Sequence, residues 1–403
     1  MTDGDVDPRV VGRRLGEARK ARGITQEEAS QHLGCSRPTL IAVEKGDRPA
    51  KAEEIVKLAS LYGRTVHEIV RPDAPIVALA PHLRAAVGSA NDMIEIDQAI
   101  FELERFAEDY LALEELLNAR ARFNYPPEVR LPKRGSLTDF AEDVAKQERD
   151  RLGLGIQPTL KLRDVLESDV GMRIFYGSLP SSVAGLYAHV AELGYCILIN
   201  LKHPAERRRA TLAHEYGHFL CDRHKPGIDY LGGPSRKPAN ERFAEAFGLS
   251  FLMPAAGVRR KFHEIATTTG DFQVADLCRL SDFYFVSLQA MTLRLEELAL
   301  ISKGGWDMLV EQGFQPRKAA KELGLNDRSR EVRAYPERYR FLAIQAYQLG
   351  EISEGQLGKF LRCDPVTARE RVAECLSRSY VDEEGATQQG TLPFERSLLN
   401  SGP

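Results

Sequence analysis

Cysteine is scarce and scattered: Cys35, Cys196, Cys221, Cys278, Cys363 and Cys375 are spread over 403 residues with no CxxC pair. That excludes a disulfide framework and a cysteine-built zinc cluster, and suits a reducing cytoplasm. Long hydrophobic runs are missing too. No stretch approaches 18 uninterrupted apolar residues, so no transmembrane helix and no membrane partner are expected. The opening MTDGDVDPRVVGRR lacks the apolar core of a secretory signal. Nor is there an excess of one charge: 55 Lys and Arg against 58 Asp and Glu leave a formal net charge of −3, so the chain as a whole is no polycation. Trp306 is the single tryptophan and reads as a core residue. What remains, 43% apolar and 28% charged, is an ordinary globular mixture. At roughly 150 residues per domain it predicts two or three domains.

The balanced total hides an asymmetry. Residues 8–72 hold 13 Lys and Arg against 8 Asp and Glu, a net of +5, bounded by Pro8 and by Pro72 and Pro75. Within it, ITQEEASQHLGCSRPTLIAVEKGDR reads as two short helices about a tight turn. Thr25 and Glu28 form a capping box for the first. Gly34 breaks the chain, and Ser36 caps the second with Pro38 in its first turn. Ala29, Leu33, Leu40 and Val43 face inward. Such a helix can enter the major groove with its N-terminal residues forward. Ser36, Arg37 and Thr39 would then meet base edges, while Gln26, Lys45 and Arg48 hold phosphates. The pattern resembles the XRE/Cro repressor family of helix-turn-helix domains over roughly residues 9–71. The resemblance rests on Gln26, Ala29, Leu33, Gly34, Ser36, Leu40, Glu44, Gly46 and Arg48 and implies a five-helix domain, double-stranded operator DNA as partner and a homodimer.

A long acidic stretch follows, with Met93, Ile96, Ile100, Leu103, Phe106, Tyr110, Leu113 and Leu116 at helical spacing. It reads as an amphipathic helix that packs on its own domain or pairs with a second copy. Pro126, Pro127 and KRGS at 133–136 make a linker. From 137 to about 300 strands and helices mix: MRIFYGS, AGLYAHV and YCILIN read as strands, RRRATLAHEYGHFLCDR and NERFAEAFGLSFLM as helices. The chain from Ala255 onward reads as mostly helical. Within it, GQLGKFLRCDPVTARERV reads as a packing helical hairpin or another short helix-turn-helix, and the last dozen residues as frayed.

His214-Glu215-Tyr216-Gly217-His218 is an HExxH. Two imidazoles four residues apart share one helix face and can ligate one zinc ion, with Glu215 beside the open position as general base. With 9 His in the chain, such a motif arises by chance in on the order of one chain in fifty to one hundred, so a third ligand is needed. His224 completes a metzincin spacing, but Cys221 stands where that pattern needs a turning glycine. Glu241, on the next helix, is the favoured ligand, and Glu245 one turn on could accept the N–H of a ligand histidine. Gly217 inside the helix suggests close approach of another element. Cys221 reads as a small buried residue rather than a redox sensor. Tyr187, Tyr216, Tyr230 and Arg242 are weaker candidates for polarising a carbonyl.

Residues roughly 150–300 resemble the ImmA/IrrE metallopeptidase family. The matching features are the strand ending at Asn200, TLAHEYGH, Glu241-x-x-Ala244, and Phe247 with Phe251-Leu252-Met253-Pro254; Glu245 stands where the family usually has Asn. The resemblance implies a zincin-like α+β domain that binds Zn2+ and cuts a repressor-type protein. The expected organisation is mainly α with an α+β core. It divides into a helix-turn-helix domain (1–74), a helical connector (75–136), the metallopeptidase domain (137–300) and a helical C-terminal region (301–403). The expected function is a DNA-binding transcriptional regulator that hydrolyses a repressor-type protein or itself. A non-catalytic, antitoxin-like repressor using the peptidase fold for sensing or dimerisation is the rival.

Overall fold

Helices at the N-terminal end begin on residues that satisfy their first free N–H groups. In the computed structural model, α1 (Pro8–Ala21) starts behind Asp7, whose carboxylate accepts from the Arg9 N–H at 2.9 Å. The capping box of Thr25 and Glu28 opens α2 (Gln26–Leu33), and Ser36 opens α3 (Arg37–Lys45). Gly34 ends α2 at φ 74°, a left-handed conformation that costs a glycine little. After α4 (Ala52–Tyr62) and α5 (Val66–Val70), the helices close on Leu15, Ala18, Ala29, Leu40, Val43, Leu58, Tyr62 and Ile69. At Gly12 a Cβ would fall 2.2 Å from the Val43 carbonyl, so α1 meets α3 backbone to backbone. The residues described are 7–64, 66–70, 93–120, 123, 125–190, 194–225, 227–231, 237–325, 334–381 and 387–391. The Pro72/Pro75 boundary, the start of the connector and the last dozen residues lie outside them.

Residues Met1–Glu108 with Ala121–Pro336 form one compact unit, and Asp109–Arg120 with Glu337–Pro403 a second. The amphipathic stretch is α6 (Met93–Leu116). Its apolar face is spent within the chain, which removes the basis for a pairing helix. In the first unit Ile96, Ile100 and Leu103 are buried, and Phe106 stacks on Phe175 at 5.0 Å. Arg64 of the helix-turn-helix region pairs with Glu108 and lies 4.0 Å from Glu104. In the second unit Tyr110 packs edge-on against Tyr339 and Glu114 pairs with Arg338.

The α+β core begins with α7 (Leu137–Arg151), capped by Ser136, and α8 (Leu162–Val165), which runs into a π-helical turn over Leu166–Val170. The strands β1 (Arg173–Gly177), β2 (Val183–Val190) and β3 (Gly194–Asn200) follow the apolar runs read from the sequence. Then come α9 (Ala205–Asp222), β4 (Gly227–Tyr230) and α10 (Ala239–Leu252). The sheet order is β1-β3-β2-β4, with β1 parallel to β3 and β2 antiparallel to both β3 and β4. Every residue of β1 and β3 is buried, which is why they read as continuous apolar runs. β4 escaped the sequence reading because GIDY is four half-buried residues without alternation. The Asn200 amide donates to the Pro180 and Val183 carbonyls at 2.9 and 2.8 Å, pinning the end of β3 to the start of β2. Arg149 is fully buried and donates to the carbonyls of Gly155, Gln157 and Phe251, tying α7 to the end of α10; burial pushes its pKa down to about 10.

Further along the first unit lie α11 (Ala255–Thr269), α12 (Val274–Tyr284), α13 (Leu288–Glu297), α14 (Gly305–Glu311) and α15 (Pro316–Glu322). Trp306, expected in the core, is half-buried at its margin. The second unit adds α16 (Glu337–Gln348), then α17 (Glu354–Phe360) and α18 (Pro365–Leu376) about a short turn, and a hairpin of β5 (Ser377–Val381) and β6 (Thr387–Thr391). The hairpin adds two strands to a C-terminal region that reads from the sequence as mostly helical. The architecture is otherwise as expected, mainly helical with an α+β core.

One contact decides where the functional side chains meet. A Cβ at Gly217 of α9 would lie 2.7 Å from the Ala244 Cα of α10, and one at Gly248 would lie 3.2 Å from the His214 backbone nitrogen. The close approach suggested by Gly217 is therefore met by α10. Gly217→Ala should destabilise the fold in urea unfolding. Overpacking costs about 1–3 kcal/mol and outweighs the roughly 1 kcal/mol gained in helix propensity. Increased stability would show that the helices part freely.

Candidate metal centre and DNA-binding surface

His214 and His218 stand one turn apart on α9, with Nε2 atoms 3.1 Å apart. Across from them Glu241, in the first turn of α10, places Oε1 3.3 Å from His218 Nε2 and Oε2 3.5 Å from His214 Nε2. Three donors bound tetrahedrally at ~2.0–2.1 Å from a zinc ion would stand about 3.3–3.4 Å apart. The observed separations bracket that value, and two nitrogens with one carboxylate is a donor set zinc accepts. The residues fit the ion. His224 is not in this group: its exposed ring packs edge-on against His189 of β2 at 4.7 Å.

Glu245 does not support a ligand histidine. It is exposed and pairs with Lys237, because one turn beyond Glu241 it has left the face turned to α9. His218 Nδ1–H donates instead to Asp222 Oδ1 at 3.0 Å, and Asn240 Nδ2 donates to the other Asp222 oxygen at 2.9 Å. Asp222 sits four residues after His218 on the same helix, so the spacing rule could have found it. Tyr187 stacks on the His218 ring at 5.4 Å, nearly parallel, and burial pushes its phenol pKa up. Burial likewise raises the Cys221 thiol, as suits a packing residue rather than a reactive one. Tyr216 turns away and donates to Glu148, Arg242 is exposed, and Tyr230 is half-buried on β4.

Glu215 has 0% exposure, and neither carboxylate oxygen has a hydrogen-bond partner among the described residues. Burial pushes its pKa well above the usual carboxylate range. An uncompensated buried carboxylate is costly, and a fold that keeps one beside a metal-type donor set keeps it for chemistry. Asp229 of β4 also borders the site, and sequence reasoning passed over it because β4 itself was not legible. Burial raises its pKa, His214 draws it down and Glu241 pushes it up.

On the helix-turn-helix surface Ser36, Arg37 and Lys45 are exposed and Thr39 is half-buried. No side-chain hydrogen bond or ion pair engages Arg37 among the described residues, so it is free to reach out. Ser36 is occupied in part, bonding the Thr39 backbone and hydroxyl. Two of the residues expected at phosphates also have partners within the fold. Arg48 makes a two-pronged pair with Glu54 at 2.8 and 3.0 Å, bracing the turn into α4. Gln26 donates at 3.0 Å to Glu44, which also holds the buried Arg19. Both groups donate to neighbouring carboxylates.

Residues 10–71 match the family described as a helix-turn-helix domain, and residues 167–296 the family described as an IrrE N-terminal-like domain. The cryptic phage CTXphi transcriptional repressor RstR of Vibrio cholerae is 35% identical over 57 residues, 14% of this chain and 51% of that protein. The chain thus spans about half the length of this curated relative. The crystal structure of ComR from Streptococcus suis aligns over 91% of this chain and 87% of that one at 10% identity, with a TM-score of 0.16, too low to relate the two folds. The chain therefore carries an N-terminal helix-turn-helix DNA-binding domain and an IrrE-like metallopeptidase-family domain; no helix among the described residues is long and apolar enough to cross a membrane.

Metal content separates the roles. Glu241→Ala should lose most bound zinc and His224→Ala none, while Asp222→Asn should weaken zinc binding by about 10–100-fold and Glu245→Ala should not, as read by metal titration. On the DNA side, Arg37→Ala should relax base preference, whereas Arg48→Ala should lower the melting temperature of the domain before it alters sequence choice. Undisturbed melting with a uniform loss of DNA affinity in Arg48→Ala would instead make Arg48 a phosphate contact.

Proposed function

We propose that the protein is a DNA-binding transcriptional regulator whose IrrE-like domain is a zinc-dependent endopeptidase acting on a repressor-type protein or on the chain itself. The observation that carries this reading is Glu215, a buried carboxylate without a partner beside two histidines and a glutamate at zinc-ligand spacing. His214, His218 and Glu241 would hold the ion. Zinc supplies a Lewis acid that polarises a peptide carbonyl and makes water more acidic. Glu215 accepts the proton of the attacking water and delivers it to the leaving amine, a task suited to a carboxylate whose proton affinity burial has raised. Asp222 fixes the His218 ring so that Nε2, not Nδ1, faces the ion. The sheet and the Tyr187 ring exclude water from the back of the site.

The N-terminal domain supplies the address. Ser36, Arg37, Thr39 and Lys45 would meet operator DNA, with Gln26 and Arg48 holding their helices in register for it. Similarity to a phage repressor over this region favours operator binding by a pair of chains. A peptidase carried on such a domain acts where its repressor partner is bound, or on its own chain.

Glu215→Gln keeps the shape of the side chain but cannot accept a proton. It should keep zinc and DNA binding, lose proteolysis by about 10²–10⁴-fold, and lock a reporter gene in one state under the inducing stress. Normal induction in this variant, with zinc confirmed, would sink the peptidase reading in favour of a non-catalytic sensing or dimerisation platform.

A further inference from the structure

Besides Glu215, a second carboxylate near the His–His–Glu group has no hydrogen bond or ion pair among the described residues: Asp229. Strand register shows where it points. β2 and β4 pair Gly185 with Asp229 and Tyr187 with Gly227. Opposed residues of an antiparallel pair project to the same face of the sheet, and Tyr187 marks that face by stacking on His218. Asp229 therefore projects to the α9 side, and its cross-strand neighbour Gly185 carries no side chain, a Cβ there falling 3.1 Å from the Leu198 carbonyl and 3.5 Å from Thr211. Its oxygens are not among the donor atoms of His214, His218 and Glu241 that gather within 4.8 Å, so it borders the metal position without being one of its ligands. β4 ends the sheet order, with one edge on β2 and no strand on the other among the described residues.

The charges around it do not cancel. His214, Glu241, His218 and Lys237 are its charged neighbours, and it acts in turn on Glu215. Lys237, the cation nearest in kind, is held by Glu245. This half-buried carboxylate thus stands beside two others with no hydrogen bond or ion pair of its own among the described residues. There a cation is attracted more strongly than in bulk water. We propose that Asp229 forms a subsite selecting a basic side chain, lysine or arginine, beside the bond to be cut. This inference rests on the peptidase reading above and narrows its substrate class.

The test uses hydroxamates, which bind zinc sites and can carry a side chain on either side of the metal-binding group. N-acetyl-arginine hydroxamate and the succinyl hydroxamate of arginine amide, with their leucine counterparts, are titrated calorimetrically into the zinc-loaded full chain. Wild type should prefer arginine to leucine about tenfold on at least one side. Asp229→Asn should bring that ratio to about one with zinc content and melting temperature unchanged, and Asp229→Lys should turn the preference toward a glutamate probe. A wild-type ratio near one, or a ratio that Asp229→Asn leaves intact, overturns the subsite while leaving the metal centre standing. Failure of every hydroxamate to bind the zinc-loaded chain overturns the metal-centre reading and the subsite with it.

Discussion

The contact between α9 and α10 is closer than ordinary side chains allow, and the candidate site depends on it. Helices usually pack with axes ~8–10 Å apart, the spacing set by the side chains between them. Here Gly217 lies under Ala244, and Gly248 lies under Ala213 and His214. Removing side chains at these points lets the short carboxylate of Glu241 reach both imidazole nitrogens. A larger residue at either glycine would hold α10 away and leave two histidines without a third donor. Arg149 reinforces the arrangement from the far end of α10, where its buried guanidinium holds the Phe251 carbonyl.

The electrostatics of this contact run against the unliganded protein. Glu215, Glu241, Asp222 and Asp229 lie within one small region, with Glu215 fully buried. Hydrogen bonds from histidine and asparagine satisfy Asp222, and the two histidines hold Glu241 well below the usual carboxylate range. Glu215 and Asp229 are left over. A divalent cation would relieve the mutual repulsion, so metal binding and the stability of this domain are coupled. Such a conflict between local stability and site composition is what a catalytic cleft costs a fold.

The DNA-binding domain solves the opposite problem. Its charges are paired at the places that set geometry: Arg19 with Glu44 in the core, Arg48 with Glu54 at a turn, Arg64 with Glu108 of α6. Arg37 is left to reach outward. Because Arg64 ties this domain to α6, and Phe106 of α6 packs on β1, the helix-turn-helix and the sheet share one compact unit.

Local rules account for what was legible in the sequence. The capping box at Thr25 and Glu28, the cap at Ser36 and the one-face placement of His214 and His218 follow from helix geometry within a few residues. The strands β1 to β3 follow from apolar runs that a buried sheet requires. Gly217 suggested a close neighbour because a glycine inside a helix costs up to about 1 kcal/mol against alanine. What the sequence could not choose was the partner. Glu245 and Asp222 both stand four residues from a site residue, and only the packing of α10 on α9 turned one outward to Lys237 and the other inward to His218. Arg48 and Gln26 looked like free donors until the fold brought Glu54 and Glu44 beside them. Asp229 became part of the site only when the register of β4 was set against β2. Helix spacing and caps are fixed by bonds a turn apart, whereas these choices depend on chain segments that only tertiary packing brings within hydrogen-bond reach.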